Sequence, residues 1–364
     1  VGSTYGDTVI MPLFKATAMY GYEMGIRRVF GYDSETLSNL WKNSMINAYR
    51  SLPIDTSRAP VGRSILNRQN SGGSMNVSPA ISPDGKYVAF LSERDLFSID
   101  LFLADAQSGE IIRKLSSRLT NTDIDEFSFL ESAGAFSPDS RKFAFSVFSR
   151  GRSKLMAVDV NNGRTLFLEA MGDVTEFGNI AWSPDGETLA FSGLKNGVSD
   201  LYLYHLGTKK LTQLTNDAYS DFQPSFSWDG QKIVFSTDRV AWQKRSRDVN
   251  IPMNLAVFDL ATGEISNIDV FPGANNLNPQ FSADNSQLYF LSNSDGFRNM
   301  FRYTLSDGTT ERMTEYFTGI SGITEYSPAL SLSANNDVVY SYYRRNEYSV
   351  YNAKVADFEQ VKVD

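Results

Sequence analysis

The sequence contains no cysteine and a single histidine, His205. Without cysteine the chain has no disulfide, no thiolate metal site and no cysteine nucleophile. With one histidine, a Ser-His-Asp triad or a multi-histidine zinc site would have to be built around His205. The sequence also lacks the Gly-x-x-x-x-Gly-Lys-Ser/Thr phosphate loop and the Gly-x-Ser-x-Gly nucleophile elbow. We therefore expect no catalytic residue, no metal site and no cofactor.

A basic surface and a long apolar run are missing as well. The chain has 42 acidic and 34 basic residues, a net charge of −8 and a pI near 4.9. A nucleic-acid-binding protein needs a basic surface that displaces counterions, so this class of partner is not expected. No stretch approaches the roughly 18 apolar residues that a membrane-spanning helix requires, so no membrane span is expected in this chain.

One pattern, in contrast, is repeated six times between residues 77 and 351. Each copy contains an apolar triplet, which indicates a strand that is buried on both faces. The triplets are Val88-Ala89-Phe90, Phe143-Ala144-Phe145, Leu189-Ala190-Phe191, Ile233-Val234-Phe235, Leu288-Tyr289-Phe290 and Val338-Val339-Tyr340.

A tight turn precedes most of the triplets. Its clearest copies are Ser82-Pro83-Asp84-Gly85 and Ser183-Pro184-Asp185-Gly186. Proline fixes φ for the turn, aspartate accepts hydrogen bonds from nearby amides, and glycine tolerates positive φ. The turn aspartates are therefore interpreted as turn caps and not as paired catalytic carboxylates, because each belongs to a different copy.

The rest of each copy supplies more strands. A further strand begins about ten residues after most triplets and ends in a hairpin with glycine, and a variable strand follows. The turn aspartates, at positions 84, 139, 185, 229 and 284, place the copies 44 to 55 residues apart. This period is typical of propeller blades and excludes ankyrin, tetratricopeptide and leucine-rich repeats. We predict a mainly β fold, a six-bladed β-propeller of four-stranded antiparallel blades over residues 76–364.

The repeats resemble those of TolB and of the propellers in prolyl oligopeptidase-like and tricorn-like proteins, over about residues 76–364. The resemblance to TolB implies protein partners and an extracytoplasmic setting, in the periplasm or the cell envelope of a bacterium. The fold alone does not imply an activity, because propellers carry many functions.

We expect each blade to be one contiguous stretch of sequence. In the last copy Tyr340, Val350 and residues 358–363 are assigned to the second, third and fourth strands. Ring closure then needs no strand from the N-terminal side, and packing between blades one and six holds the ring shut. Pairing of residues 61–67 with blade six would contradict this expectation.

The first 52 residues do not follow the repeat and are predicted to be helical, with helices over 8–20, 22–30 and 34–49. Residues 53–75 are predicted to be a linker. Val29-Phe30-Gly31, followed by Leu37, Leu40 and Trp41, resembles the end of a gluzincin-type zinc metallopeptidase domain. The His-Glu-x-x-His helix of that family is not in this chain, and a three-helix cap on the propeller is the alternative. Because the chain begins at Val1 without an initiator methionine, we expect it to derive from a longer protein.

Three connections are longer than the repeat requires: 240–251 in blade four, 118–131 between blades one and two, and 316–326 before blade six. Antiparallel strands place the loop between strands two and three, and the loop between blades, at one end of the ring. We call this end the long-loop face and the end with the Ser-Pro-Asp-Gly turns the turn face. Long loops on a rigid scaffold often bind partners.

The candidate binding residues lie in two of these loops. The blade-four loop is basic with a tryptophan, and the loop between blades one and two is acidic. The residues are Trp242, Lys244, Arg245 and Arg247 in the first, and Asp123, Asp125 and Glu126 in the second. Tolerated insertions and a solvated acidic loop are the alternatives.

The preferred hypothesis is a non-enzymatic propeller that binds a protein or peptide through its long-loop face. The alternative hypothesis is an accessory propeller that filters substrate for an exported zinc metallopeptidase-like protein whose catalytic motif lies outside this chain. A propeller enzyme that acts at the central channel is disfavoured, because the recognised catalytic sets are missing.

Overall fold

A computed structural model describes residues 2–50, 55, 57–70, 73–95, 98–119, 121–127, 134–244 and 251–363. The chain divides into two compact units, Val1–Asp55 and Thr56–Asp364. The helices of the first unit are α1 (Gly2–Tyr5), α2 (Ile10–Tyr20), α3 (Tyr22–Phe30) and α4 (Ser34–Arg50), with a 3-10 turn at Asp7–Val9. None of the helices described is both long enough and apolar enough to cross a membrane.

The three long helices of the first unit confirm the helical prediction. The Asp33 carboxylate caps α4, because its Oδ1 accepts a hydrogen bond from the Thr36 amide at 2.7 Å. The apolar side chains of α4 remain accessible: Leu40 is 45 % and Trp41 61 % exposed.

The second unit contains six antiparallel sheets, which confirms the predicted six-bladed propeller. Blade one has β2 (Asn76–Ile81), β3 (Tyr87–Ser92), β4 (Asp100–Asp105) and β5 (Ile111–Ser116). Blade two has β6 (Glu126–Phe127), β7 (Ala135–Phe136), β8 (Lys142–Ser149), β9 (Arg152–Asp159) and β10 (Thr165–Glu169). Blade three has β11 (Glu176–Trp182), β12 (Thr188–Lys195), β13 (Val198–His205) and β14 (Lys210–Gln213).

Blade four has β15 (Asp221–Phe226), β16 (Lys232–Thr237), β17 (Asn254–Asp259) and β18 (Ile265–Ile268), with helix α5 (Arg239–Gln243) between β16 and β17. Blade five has β19 (Asn276–Phe281), β20 (Gln287–Ser292), β21 (Asn299–Thr304), β22 (Thr310–Arg312) and β26 (Val361–Val363). Blade six has β23 (Leu330–Leu332), β24 (Asp337–Arg344), β25 (Glu347–Lys354) and β1 (Arg63–Leu66), and a 3-10 turn at Val355–Asp357 follows β25.

The predicted turn chemistry is present. In the turn of blade four, the Ser227 hydroxyl donates a hydrogen bond to Asp229 at 2.6 Å, and Asp229 accepts another from the Gln231 amide at 3.0 Å. The hydrogen bonds from Ser227 and Gln231 hold the pKa of Asp229 below its ordinary value. His205 also has a structural role, because its Nδ1 accepts from the Thr208 amide as the hairpin aspartates do in other blades.

The apolar triplets fill the spaces between the blades. The described buried residues group into six hydrophobic clusters, and each cluster joins two neighbouring blades. The cluster between blades six and one contains Phe90 of blade one and Val339 of blade six. Burial of the two faces of each sheet between its neighbours is what stabilises a fold of this kind.

The expectation of contiguous blades is wrong. Strand β1, which lies within the predicted linker, pairs antiparallel with β25 and is the outer strand of blade six. The segment 358–363 does not fill that place, because Val361–Val363 pairs with β22 of blade five. Ile65 and Leu66 are fully buried. Burial of their apolar side chains in the gap beside blade six is favourable in free energy, which explains why this part of the linker forms a strand there.

Close backbone approach makes this closure possible. Gly109, at the hairpin of blade one, lies so near Ile65 that a Cβ there would collide with the Ile65 carbonyl oxygen. Val61 is held by two tyrosines, since its amide donates to the Tyr316 hydroxyl at 2.8 Å and its carbonyl accepts from Tyr340 at 2.5 Å. The ring is therefore closed by hydrogen bonds between distant parts of the chain, as well as by packing.

Candidate functional site

The blade-four insertion begins as helix α5, and its tryptophan is exposed. Trp242 is 51 % exposed, and its indole Nε1 donates a hydrogen bond to Asp238 at 3.1 Å. Lys244 forms an ion pair with Asp269 of the same blade. Arg245 and Arg247 lie outside the described residues. The described part of this loop is thus an ordered aromatic residue beside a neutralised lysine, and not an open positive patch.

A buried ion network, which sequence reasoning missed, anchors α5. Arg239, the first residue of the helix, is 5 % exposed and binds Asp217 and Asp221, the latter at 2.6 Å. Asp221 also accepts a hydrogen bond from the Thr237 hydroxyl at 2.7 Å. The guanidinium lies 5.0 Å from the ring centre of Tyr219. The insertion is therefore fixed to the connection between blades three and four.

Burial perturbs the acids of this network. Desolvation raises the pKa of Asp221 to about 6, although Arg239 opposes the shift. Desolvation also raises the pKa of Asp200 and of Asp238. Burial disfavours the charge of Arg239, but Asp221 and Asp217 outweigh this cost and its pKa is raised.

Three carboxylates of this region, Asp200, Asp217 and Asp221, lie within 4.8 Å of one another, a spacing that a metal ion could bridge. Two of the three already bind the Arg239 guanidinium, so a cation of the chain itself compensates their charge. The Asp200 carboxylate is satisfied by Gln213 at 2.9 Å and Thr215 at 3.3 Å. We interpret this cluster as an anchor of α5. Alignment of the repeats indicates this cluster in the sequence. Asp221 is the first residue of the inner strand of blade four, where blades one and five have Asn76 and Asn276.

The acidic loop between blades one and two is organised by one arginine. Asp125 accepts a hydrogen bond from the Arg150 amide at 2.6 Å, and Asp123 forms an ion pair with the Arg150 side chain at 3.2 Å. Glu126 is exposed at the start of the inner strand of blade two. No described residue combination here has the ligand pattern of a calcium loop.

Contacts between loops show that both types of connection emerge at one end of the ring. Arg150, in the loop between strands of blade two, meets the connection from blade one. Arg239 of blade four meets Asp217, in the connection from blade three. The predicted long-loop face therefore exists as a surface, but the acidic and basic candidate residues are not brought into contact by the described structure.

The third long connection turns inward to the channel mouth. The ring centre of Tyr326 lies 6.1 Å from the ring centre of Phe222. The Tyr326 backbone carbonyl accepts a hydrogen bond from the Gln223 side-chain amide at 2.8 Å. These residues, with Phe177 and Glu176, line a cavity of about 500 Å³ at the long-loop end of blades three and four.

A deeper ring of polar residues was also missed. Ser78, Asn179, Gln223 and Asn278 occupy a bulge in the inner strands and adopt positive φ of 52° to 57°. Two of these side chains connect neighbouring blades: the Gln223 side chain accepts a hydrogen bond from the Asn278 amide at 2.6 Å, and the Asn278 side chain accepts one from the Leu330 amide at 3.0 Å. Non-glycine residues rarely adopt positive φ, and no local sequence pattern predicts that these positions do so.

Comparisons with known proteins agree with this architecture. Residues 131–243 match the family model described as PD40, the TolB beta propeller domain. Dipeptidyl-peptidase 5 of Porphyromonas gingivalis is 29 % identical over 148 residues, which are 38 % of this chain and only 21 % of that protein. The chain thus spans about a fifth of that relative.

Solved structures show the same fold. A TolB-like protein of Agrobacterium tumefaciens is 20 % identical, with a TM-score of 0.57 over 77 % of this chain and 91 % of that one. TolB of Acinetobacter baumannii is 19 % identical, with a TM-score of 0.55 over 81 % of this chain and 65 % of that one.

Proposed function

We propose that this chain is a non-enzymatic propeller that binds a protein or peptide partner through its long-loop face. The observation that carries the proposal is Trp242, which is half exposed yet fixed by Asp238 on a helix anchored by buried Arg239. In the described parts of the other five blades, no helix lies between the second and third strands. Rigid, exposed tryptophan is typical of residues that dominate binding energy, because little conformational freedom remains to be lost on association.

The setting that we propose is extracytoplasmic, in the periplasm or the cell envelope of a bacterium. The match of residues 131–243 to the TolB propeller model supports this setting and a protein partner. That match extends into α5 and includes Trp242, so the proposed binding residue belongs to the TolB-like part of the chain.

Replacing both Trp242 and Arg245 by alanine tests the proposal. We expect the double variant to bind the native partner at least tenfold more weakly, since a hot-spot residue contributes about 1–2 kcal/mol or more. Its thermal midpoint should stay within about 2 °C of the wild type, because the Trp242 side chain lies outside the core. Titration calorimetry measures the first quantity and thermal denaturation the second.

The exposed Leu166 of blade two, which is 36 % accessible, offers a matched control of an apolar residue away from α5. Leu166→Ala should leave the affinity unchanged. Equal affinity of the wild type and the Trp242→Ala, Arg245→Ala variant would mean that the blade-four loop does not contribute to binding.

We further propose that residues 1–364 have no peptidase activity. With one histidine and no cysteine, the chain offers none of the recognised general-base arrangements. Purified protein should release no peptides from casein above the background of a matched blank. Cleavage that requires a metal and stops on addition of a chelator would contradict this proposal.

The alternative function is an accessory propeller of an exported zinc metallopeptidase-like protein. The matched family model covers residues 131–243 and gives no support to the resemblance of the first unit to a gluzincin-type domain. The observation that keeps the alternative is the apolar exposure of the helices in the first unit, where Phe14 is 69 % and Trp41 61 % exposed. The coding sequence upstream of Val1 distinguishes the two functions. A His-Glu-x-x-His helix encoded there supports the accessory role, and a signal peptide directly before Val1 removes it.

A further inference from the structure

The inner strands of all six blades line a central cavity of about 430 Å³ near the turn face. None of the described residues that line this cavity is ionisable, although 21 % of the chain is charged. Seven of the twelve prolines line it: Pro79, Pro83, Pro138, Pro184, Pro224, Pro279 and Pro328. Because proline has a fixed φ and a rigid ring, much of the wall is preformed. An uncharged wall disfavours an ionic ligand, which would lose its hydration without gaining a partner.

Aromatic rings complete the wall. Phe136, Trp182, Phe226, Trp228 and Phe281 all line the cavity. The wall therefore offers flat apolar surfaces on which a ring of a ligand can pack.

The other end of the channel is crossed by residues 320–327, which we call the strap. Its first residue, Ile320, pairs with Tyr342 of blade six, and Ile323 packs against the cluster of blades one and two. Its other end reaches the opposite side of the ring, where Tyr326 contacts Phe222 and Gln223 of blade four. Blades one and four face each other across a six-bladed ring. A segment that touches both must therefore pass over the channel mouth.

Polar contacts hold the strap in this place. Both of its ends are bound to Arg298, since the Ile320 amide donates to the Arg298 carbonyl at 2.6 Å and the Arg298 side chain donates to the Ser327 carbonyl at 3.1 Å. Glu325 accepts hydrogen bonds from the side chains of Asn275 at 2.7 Å and Asn293 at 3.0 Å. The strap is thus an ordered part of the ring.

We propose that the central channel is a binding cavity with a single mouth, at the turn face, for a small uncharged molecule that carries an apolar ring. The strap closes the mouth at the long-loop face. The volume lies within the range of roughly 300–1,000 Å³ that is usual for small-molecule sites. This site is separate from the proposed partner surface at α5, so an experiment can refute either proposal without affecting the other.

The absence of cysteine allows a direct test. Ser225→Cys places one thiol on the cavity wall, and Ser286→Cys places one on an exposed position of the turn face. Benzamide serves as the uncharged probe and benzoate as its charged counterpart of equal size. We expect saturating benzamide to slow the reaction of Ser225→Cys with N-ethylmaleimide at least fivefold. Benzoate should slow it less than twofold, and neither compound should affect Ser286→Cys.

Equal protection by benzamide and benzoate, or protection by neither, would overturn the assignment of an uncharged ligand. Circular dichroism of each variant confirms that its fold is retained.

A second labelling experiment tests the strap. Ser199→Cys places a nearly buried thiol in the cavity beside Tyr326. Adding Ile323→Ser and Tyr326→Ser should release the strap and raise the labelling rate of this thiol at least tenfold. Labelling of Ser286→Cys should not change in the same background. An unchanged rate at Ser199→Cys would show that the strap does not close this mouth.

Discussion

Asp221 shows how strongly burial in this ring changes the pKa of a single carboxyl group. Its carboxylate is fully buried, and it is paired with Arg239, itself almost completely buried. Desolvation nevertheless prevails and raises its pKa from 3.8 to about 6. A buried ion pair of this kind adds little to net stability, because the cost of desolvation offsets much of the attraction between the charges. Its main effect is to fix the positions of the elements that it connects. What Asp221 and Arg239 position is helix α5.

The raised pKa predicts a pH dependence of known sign. Between about pH 4 and pH 6 the folded chain retains the Asp221 proton and the unfolded chain loses it. The stability that this site contributes is full below about pH 4 and is lost as the pH rises towards 6. We expect the free energy of unfolding of the wild type, relative to Asp221→Asn, to fall by roughly 2–3 kcal/mol over this interval. Urea denaturation at stepwise pH measures the difference.

Asp229→Asn is the control, because hydrogen bonds from Ser227 and Gln231 lower the pKa of this exposed turn aspartate. The stability that Asp229 contributes is lost as the pH falls, so the wild type should lose stability relative to Asp229→Asn only on acidification. A pH-independent difference between the wild type and Asp221→Asn would contradict the assignment of a raised pKa to Asp221.

The element whose position is least expected is strand β1. Residues 51–76 contain no aromatic residue, and Arg63-Ser64-Ile65-Leu66 has only two apolar residues, too few to show a period. Its partner, β25, is almost 300 residues away in the sequence. Local sequence patterns predicted the strands inside the repeats, because each copy carries its own turn and apolar triplet. They could not predict which terminal segment closes the ring, since this depends on the gap left beside blade six.

Truncation of β1 tests the closure. Ile65 is fully buried between blades six and one, so Ile65→Ala should lower the free energy of unfolding by about 2–4 kcal/mol. Arg63→Ala, at an exposed position of the same strand, should change it by less than about 0.5 kcal/mol. Chemical denaturation of the three proteins provides the comparison. A similar, small effect of both substitutions would mean that β1 is peripheral to the ring.

The insertions show the same division between local and distant information. The spacing of the repeats located the blade-four loop and the connection before blade six, because both exceed the length that a blade requires. The contacts that give these loops a fixed shape join residues that are distant in sequence, such as Arg239 with Asp217 and Asp221, and Gln223 with Tyr326. Side-chain types alone do not show that Arg239 is buried or that Tyr326 lies over the channel.

At the scale of the whole molecule, the ring separates two surfaces with different chemistry. The turn face leads to an uncharged cavity walled by proline and aromatic rings. The long-loop face carries Trp242, the Arg150 loop and the strap, with charged groups around them. A partner that binds one face need not contact the other. We propose that a protein partner occupies the long-loop face.

Site-specific photo-cross-linking in the native host cell tests this proposal most directly. A benzophenone amino acid at Gln243, exposed beside Trp242, reports on the long-loop face, and the same group at Ser286 reports on the turn face. We expect a discrete protein adduct from position 243 that disappears when Trp242→Ala is added, and no such adduct from position 286. A protein adduct from position 286 alone, or one from position 243 that is unaffected by Trp242→Ala, would contradict it.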